Sequence, residues 1–129
     1  MHLALVVAIA GEGVSTPVAF GLLDRRYQDY AGYASQVTPT ALINAMQNGD
    51  AFATVSALFN RFEEVIEPER PAVSQLKEML MKEGALGVLM SGSGPAVFGV
   101  FSDDTSAKRA AEQLKSMGLC AYDCYTVEN

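Results

Sequence analysis

At 129 residues, half of them hydrophobic, the chain has the length of one ordinary domain and can bury a core without metal or disulfide staples. Fifteen acidic residues outweigh nine basic ones for a formal charge of −6, and the basic residues (Arg25-Arg26, Lys77, Lys108-Arg109 and Lys115 among them) are scattered, so no nucleic-acid platform is expected, although backbone amides can still hold one small anion. The longest apolar runs fall far short of the ~20 residues a bilayer helix needs, and LALVVAIA lacks the basic leader of a secretory signal, so a cytoplasmic protein with no membrane partner is expected.

Leu3–Ala10 (LALVVAIA) is a continuous, branched apolar run that reads as a buried strand. After GEG, Thr16-Pro17 reads as a helix entrance: a capping hydroxyl, then a proline whose missing N–H costs nothing there. Along that helix Phe20 falls off the stripe formed by Val18, Leu22 and Leu23. Ala31–Val37 is the expected mobile loop. Thr38-Pro39 repeats the entrance for a short helix through Ala41, Leu42, Ala45 and Met46 that stops at Asn48-Gly49. Asp50 can cap the next helix, whose apolar residues Val55, Leu58, Phe59, Phe62, Val65 and Ile66 recur at three- and four-residue steps until Pro68 ends it.

Pro71 opens another helix, with Val73, Leu76, Met79 and Leu80 on one face and Gly84 just past its end. LGVLM and AVFGVF are short strands. DDTSAKRAAEQLKSMG is a helix with an acidic first turn and a stripe of Ala107, Ala110, Ala111, Leu114 and Met117. LCAYDCYTV is the last strand. Strands interleaved with helices, with one central hairpin, predict an α+β fold: a ferredoxin-like split β-α-β with an antiparallel sheet of about four strands and helices on one face.

His2 is the only histidine, and Cys120 and Cys124 are the only cysteines. That supply makes a His/Cys metal cluster or a Ser-His-Asp site improbable, so no metal ligands are expected here. Four residues along a strand separate the two cysteine Cα atoms by ~13 Å. A disulfide spans roughly 4.4–6.8 Å, so the expectation is two half-buried thiols that do not pair with each other.

Two loops can carry chemistry. In MSGSGPAVFGVF, Met90–Phe101, the serines and glycines Ser91, Gly92, Ser93 and Gly94 lie between two strands. Taken alone, this is more often a structural hairpin, yet successive glycine amides can also form an anion-binding nest. It is not a P-loop, since no GxxxxGK[ST] occurs. In GVSTPVAF, Gly13–Phe20, a helix start offers free N–H groups and the positive end of the dipole, which suit phosphate. Taken alone, that stretch is more often a capped helix with an ordinary packing phenylalanine.

Together, GVSTPVAFGLLD and MSGSGPAVFGVF resemble the carboxy-terminal half of a GHMP small-molecule kinase. LFNRFEEVI, Leu58–Ile66, looks like the asparagine- and acid-containing helix that such kinases carry between the two motifs. The resemblance runs over nearly the whole chain, and GVSTPVAF looks most like members acting on a diphosphocytidyl methylerythritol in non-mevalonate isoprenoid biosynthesis. It implies transfer of the ATP γ-phosphate to the 2-hydroxyl of that substrate. Phe20 matches an aromatic ring placed against cytosine, Thr16 and Pro17 match the helix start beside the diphosphate, and Ser91, Gly92, Ser93 and Gly94 match the glycine motif at the phosphate region.

The sequence departs from the family pattern in places. Ala96 stands where relatives commonly carry a hydroxyl residue, and Glu12 stands where they often carry lysine or proline. The family's nucleotide loop and its phosphoryl-transfer lysine and aspartate have no match. The resemblance therefore implies that residues 1–129 are a single substrate-side domain, inactive alone and with no catalytic residue of its own. An amino-terminal kinase domain absent from the chain would be its partner, and would bind most of the ATP and Mg²⁺. An exposed surface meant for such a partner invites self-association, so a homodimer of the chain is expected as an outcome to test. Two other readings stay open: a homoserine- or mevalonate-type GHMP kinase, and a non-enzymatic metabolite-binding module of the same architecture.

Overall fold

The computed structural model describes residues 1–9, 11, 14–27 and 38–127. Ala31–Val37 and Glu12 lie outside the described residues. The elements run β1 (Ala4–Ile9), α1 (Thr16–Arg26), α2 (Thr40–Gln47), α3 (Ala51–Ser56), α4 (Glu63–Glu69), α5 (Pro71–Lys82), β2 (Gly87–Met90), β3 (Ala96–Phe101), α6 (Asp104–Ser116) and β4 (Cys120–Tyr125).

The four strands form one sheet in the order β2-β3-β1-β4, with every neighbouring pair antiparallel. In the central strand, Val6 stands opposite Gly99 on one side and Asp123 on the other, while Met90 stands opposite Val97. β1 and β2 therefore run in one direction with β3 inserted between them, which is the expected split β-α-β.

Alternation decides which residues meet the helices. Ala4, Val6 and Ala8 of β1, Val97 and Phe101 of β3 and Ala121 of β4 are all buried in a core shared with α5 and α6. From α5 come Val73, Leu76 and Leu80; from α6 come Ala107, Ala110, Ala111 and Leu114. The alanine stripe lets α6 lie close to the sheet, and full burial of each leucine contributes about 1.5–3 kcal/mol. A Cβ on Gly99 would come within 3.3 Å of the Ala85 side chain and 3.6 Å of Leu80 Cβ, so glycine there permits the close approach of α5. The neighbouring position in the sheet faces the other way: a Cβ on Gly87 would run into Val55 of α3. Helices α5 and α6 thus form the one-sided layer, and α3 lies against a corner of the far face.

Local chemistry corrects several expectations. Ser15 rather than Thr16 precedes α1, in extended conformation, and it makes no side-chain capping bond. Pro39, not Thr38, occupies the cap of α2, also without a side-chain bond. On α1 the buried residues are Ala19 and Leu23, whereas Val18 is exposed. Asp50 does cap α3, accepting from Ala53 N at 2.9 Å.

The single helix expected from Asp50 to Pro68 is two helices, and Pro68 sits inside the second. The break centres on Asn60, whose Oδ1 accepts from Phe62 N at 3.0 Å. Such a local side-chain bond offers the backbone an alternative to the helical ladder. The cysteines are unpaired, as expected, but both are exposed rather than half-buried. They alternate with Ala121 along the edge strand β4 and so point away from the core.

Candidate functional site

The glycine loop joins β2 to β3. Ser91 N donates to Ala96 O at 2.8 Å, and Gly94 N donates to Ser91 O at 3.0 Å, closing a tight turn. Both glycines are in the left-handed region, Gly92 at φ +56° and Gly94 at φ +81°, where a side chain costs strain. Gly94 is also crowded, since a Cβ there would lie 3.1 Å from Met90 Sδ. Gly92 faces open space, with nothing within 4 Å of an added Cβ. Ser91 and Gly92 are exposed, and Ser93 and Gly94 are half-buried. Among the described residues, the Gly92 and Ser93 amides have no acceptor. Two adjacent free amides on an exposed turn can receive an anionic oxygen.

The loop is held from behind by the turn between α3 and α4. Asn60 Nδ2 donates to Met90 O at 2.7 Å and to Gly92 O at 2.8 Å. Glu63 Oε2 accepts from Met90 N at 2.9 Å and from Lys77 Nζ at 2.7 Å. Lys77 also donates to Glu67 Oε1 at 2.8 Å. Burial pulls the Lys77 ammonium down, but the hydrogen bonds and charges of Glu63 and Glu67 outweigh it and hold the group above the ordinary lysine value. The pair is mostly buried, with 21% and 17% of the Lys77 and Glu63 side chains exposed, so solvent screens it little.

On the other side, Ser93 Oγ donates to Val14 O at 3.4 Å, which places the glycine loop beside the approach to α1. Thr16 and Pro17 form the exposed first turn of that helix. The Thr16 hydroxyl makes no hydrogen bond among the described residues. One turn further on, Phe20 is 52% exposed, and its ring stands edge-on to Phe62 with centroids 5.0 Å apart and planes at 77°. Edge-to-face contact fixes the tilt of a ring while leaving a face open.

The structure thus brings the two sequence-predicted segments to one side of the fold. The residues that connect them are Asn60, Phe62, Glu63 and Lys77. Helical periodicity placed Phe62 on an apolar stripe, and the resemblance marked LFNRFEEVI only as an asparagine- and acid-containing helix, with no role for its side chains.

Next to this region, the guanidinium carbon of Arg61 lies 5.2 Å from the Tyr27 ring centre and 5.4 Å from that of Phe59. Arg26 Nε stands 3.7 Å from Glu64 Oε2, an ion pair too long for a hydrogen bond. A cavity of about 250 Å³ lies apart from the loop, lined by Thr38, Pro39, Leu42, Ala57 and Phe59. A smaller one of about 130 Å³, lined by residues including Gly11, Leu76, Met79 and Leu119, sits at the edge of the core. Neither is lined by α1 or the glycine loop.

Among the described residues no cluster of three His, Cys, Asp or Glu side chains can hold a metal ion. Although Cys124 is exposed, partial desolvation of its sulfur first, and then the Asp123 charge, push the thiol above its ordinary value, which disfavours a nucleophilic thiolate. Among the described residues no helix is long and apolar enough to cross a membrane.

A sheet of this order, with a glycine hairpin set beside a helix entrance, is the arrangement expected of a kinase-type carboxy-terminal domain. The family described as GHMP kinases C terminal matches residues 40–119, and the chain belongs to that family. The particular similarity is to 4-diphosphocytidyl-2-C-methyl-D-erythritol kinases. That of Symbiobacterium thermophilum is 35% identical over 106 residues, covering 82% of this chain and 38% of the relative. That of Gloeobacter violaceus is 37% identical over 124 residues, covering 95% of this chain and 41% of the relative. A crystal structure of 4-(cytidine 5'-diphospho)-2C-methyl-D-erythritol kinase superposes with a TM-score of 0.79 at 26% identity, over 100% of this chain and 44% of that one. The chain thus spans about two fifths of the length of the curated relatives it matches.

Proposed function

We propose that the chain is the substrate-side, carboxy-terminal part of a cytoplasmic ATP-dependent kinase that phosphorylates the 2-hydroxyl of 4-diphosphocytidyl-2-C-methyl-D-erythritol in non-mevalonate isoprenoid biosynthesis. The observation that carries this reading is the meeting of the glycine loop and the α1 approach at Ser93 and Val14, with the half-exposed Phe20 ring one turn away. The names of the relatives supply the substrate class.

Each residue then has a task its surroundings allow. Phe20 offers a ring face for cytosine, a contact worth about 1–3 kcal/mol. Thr16 and Pro17 open a helix whose first amides and dipole favour the substrate's diphosphate. The free amides at Gly92 and Ser93, between Ser91 and Gly94, approach the phosphates that react. ATP supplies the transferred phosphoryl group; it and Mg²⁺ are bound mainly by an amino-terminal domain of the complete enzyme. Phosphoryl transfer depends on positioning and charge neutralisation, and the chain supplies part of the positioning. By itself it is inactive, and the surface that meets the other domain promotes homodimerisation. Sedimentation at several concentrations measures that last point, and a constant monomer mass would remove it.

The test is to express the complete gene product and assay ATP-dependent phosphorylation of the cytidyl substrate, homoserine and mevalonate in parallel. Turnover of the cytidyl substrate alone is expected. Preference for homoserine or mevalonate would assign a different GHMP kinase, and binding without turnover of any of them would favour the metabolite-binding module.

A further inference from the structure

We infer that the turn at Asn60–Glu63 is a single positioning device for both halves of the site: Asn60 and Glu63 set the glycine loop while Phe62, between them, sets the Phe20 ring. The inference rests on the kinase reading for what the two halves bind, but its geometry stands independently. Three residues of one turn, Asn60, Phe62 and Glu63, make every contact involved. Asn60 grips two loop carbonyls, at Met90 and Gly92, while its own Oδ1 closes the turn on Phe62 N. Glu63 takes the Met90 N–H, so Met90 is held at both its backbone polar groups from one turn. The Phe62 ring meets Phe20 at 5.0 Å.

The direction of each bond matters. Asn60 occupies the loop carbonyls from inside, and the amides of the exposed Gly92 and the half-buried Ser93 are left without acceptors at the apex. A loop relying on its own turn alone would have only the Ser91 and Gly94 amide bonds to hold this orientation. Lys77 lies behind Glu63 and fixes its carboxylate between the ammonium and the Met90 amide. These residues are positioning residues: Asn60, Glu63 and Phe62 act through the groups they hold.

A merely structural turn and a positioning turn differ in how kinetic losses divide. In the complete kinase, Asn60→Ala is expected to lower kcat/KM for ATP about tenfold, with KM for the cytidyl substrate held within roughly twofold. Phe62→Leu keeps an apolar side chain but loses the edge contact, and is expected to raise KM for the cytidyl substrate about fivefold while the ATP parameters stay put. Glu63→Gln retains an acceptor for the Met90 amide and should recover much of what Glu63→Ala loses. Losses that fall on both substrates together, in proportion to lowered melting temperature, would overturn the inference.

Should the wild-type enzyme not use the cytidyl substrate, the functional reading fails and the device is still testable in this chain. In ¹⁵N relaxation, Asn60→Ala is then expected to mobilise Ser91–Gly94 while the amides of β1 and α6 keep their order. An unchanged loop would overturn the inference by itself.

Discussion

The Ser93 hydroxyl donates to the Val14 carbonyl at 3.4 Å, joining two segments that lie 79 positions apart in sequence. A bond this long is weak, so the neighbourhood must be set by packing elsewhere. Gly94 sits on Met90 and near Ile66, and Val14 packs against the same core. Ser93→Ala is therefore expected to change unfolding free energy by less than about 0.5 kcal/mol in urea titrations. A loss above about 2 kcal/mol would mean that the hydroxyl itself holds the two segments together.

The two left-handed glycines should respond unequally. Gly92→Ala meets open space and incurs only backbone strain, about 1 kcal/mol. Gly94→Ala incurs the same strain and also crowds the buried Met90 sulfur, so about 2 kcal/mol or more is expected. Chemical denaturation of the two variants beside the wild type gives the order. Equal losses would show that Met90 yields to the new methyl group.

Much of the fold is legible in the sequence because periodicity and burial coincide. Val73, Leu76 and Leu80 mark the inner face of α5, Ala107 to Leu114 mark that of α6, and glycines close both helices. The region from Asp50 to Pro68 is not legible in the same way. Its apolar residues keep helical spacing, yet Phe59 is exposed, and Asn60 spends its side chain on a turn instead of on solvent. The partners of that asparagine lie 30 and 32 residues away, at Met90 and Gly92, and no local pattern announces a contact of that range. The site shows the same division. Its exposed pieces, Phe20 and the serine–glycine loop, stand out as motifs, whereas LFNRFEEVI stands out only as a helix-like stretch and the contacts by which it joins them do not.

The Lys77 cluster makes stability depend on pH in a defined direction. Folding raises the proton affinity of Lys77, so its contribution is full at neutral pH and below, and is lost as pH climbs through the raised folded value. Above about pH 10, where lysines ordinarily titrate, wild-type melting temperature should fall more steeply than that of Lys77→Met. Parallel curves would show that the cluster contributes nothing. Asp103 works the other way. The backbone N–H of Ser106 holds its carboxyl below the usual range, so that contribution is complete above the carboxylate range and lost on acidification through the lowered folded value. Asp103→Asn should flatten the acid limb of the melting curve.

Phe20 gives the most direct measurement of what the site is for. Its ring is 52% exposed, so truncation should cost little stability beyond the Phe62 edge contact, about 1 kcal/mol. In the complete kinase, Phe20→Ala is expected to raise KM for the cytidyl substrate at least about tenfold, with KM for ATP unaltered. Unchanged KM for the cytidyl substrate in a folded Phe20→Ala enzyme would contradict the assignment of this face to a cytidine diphosphate.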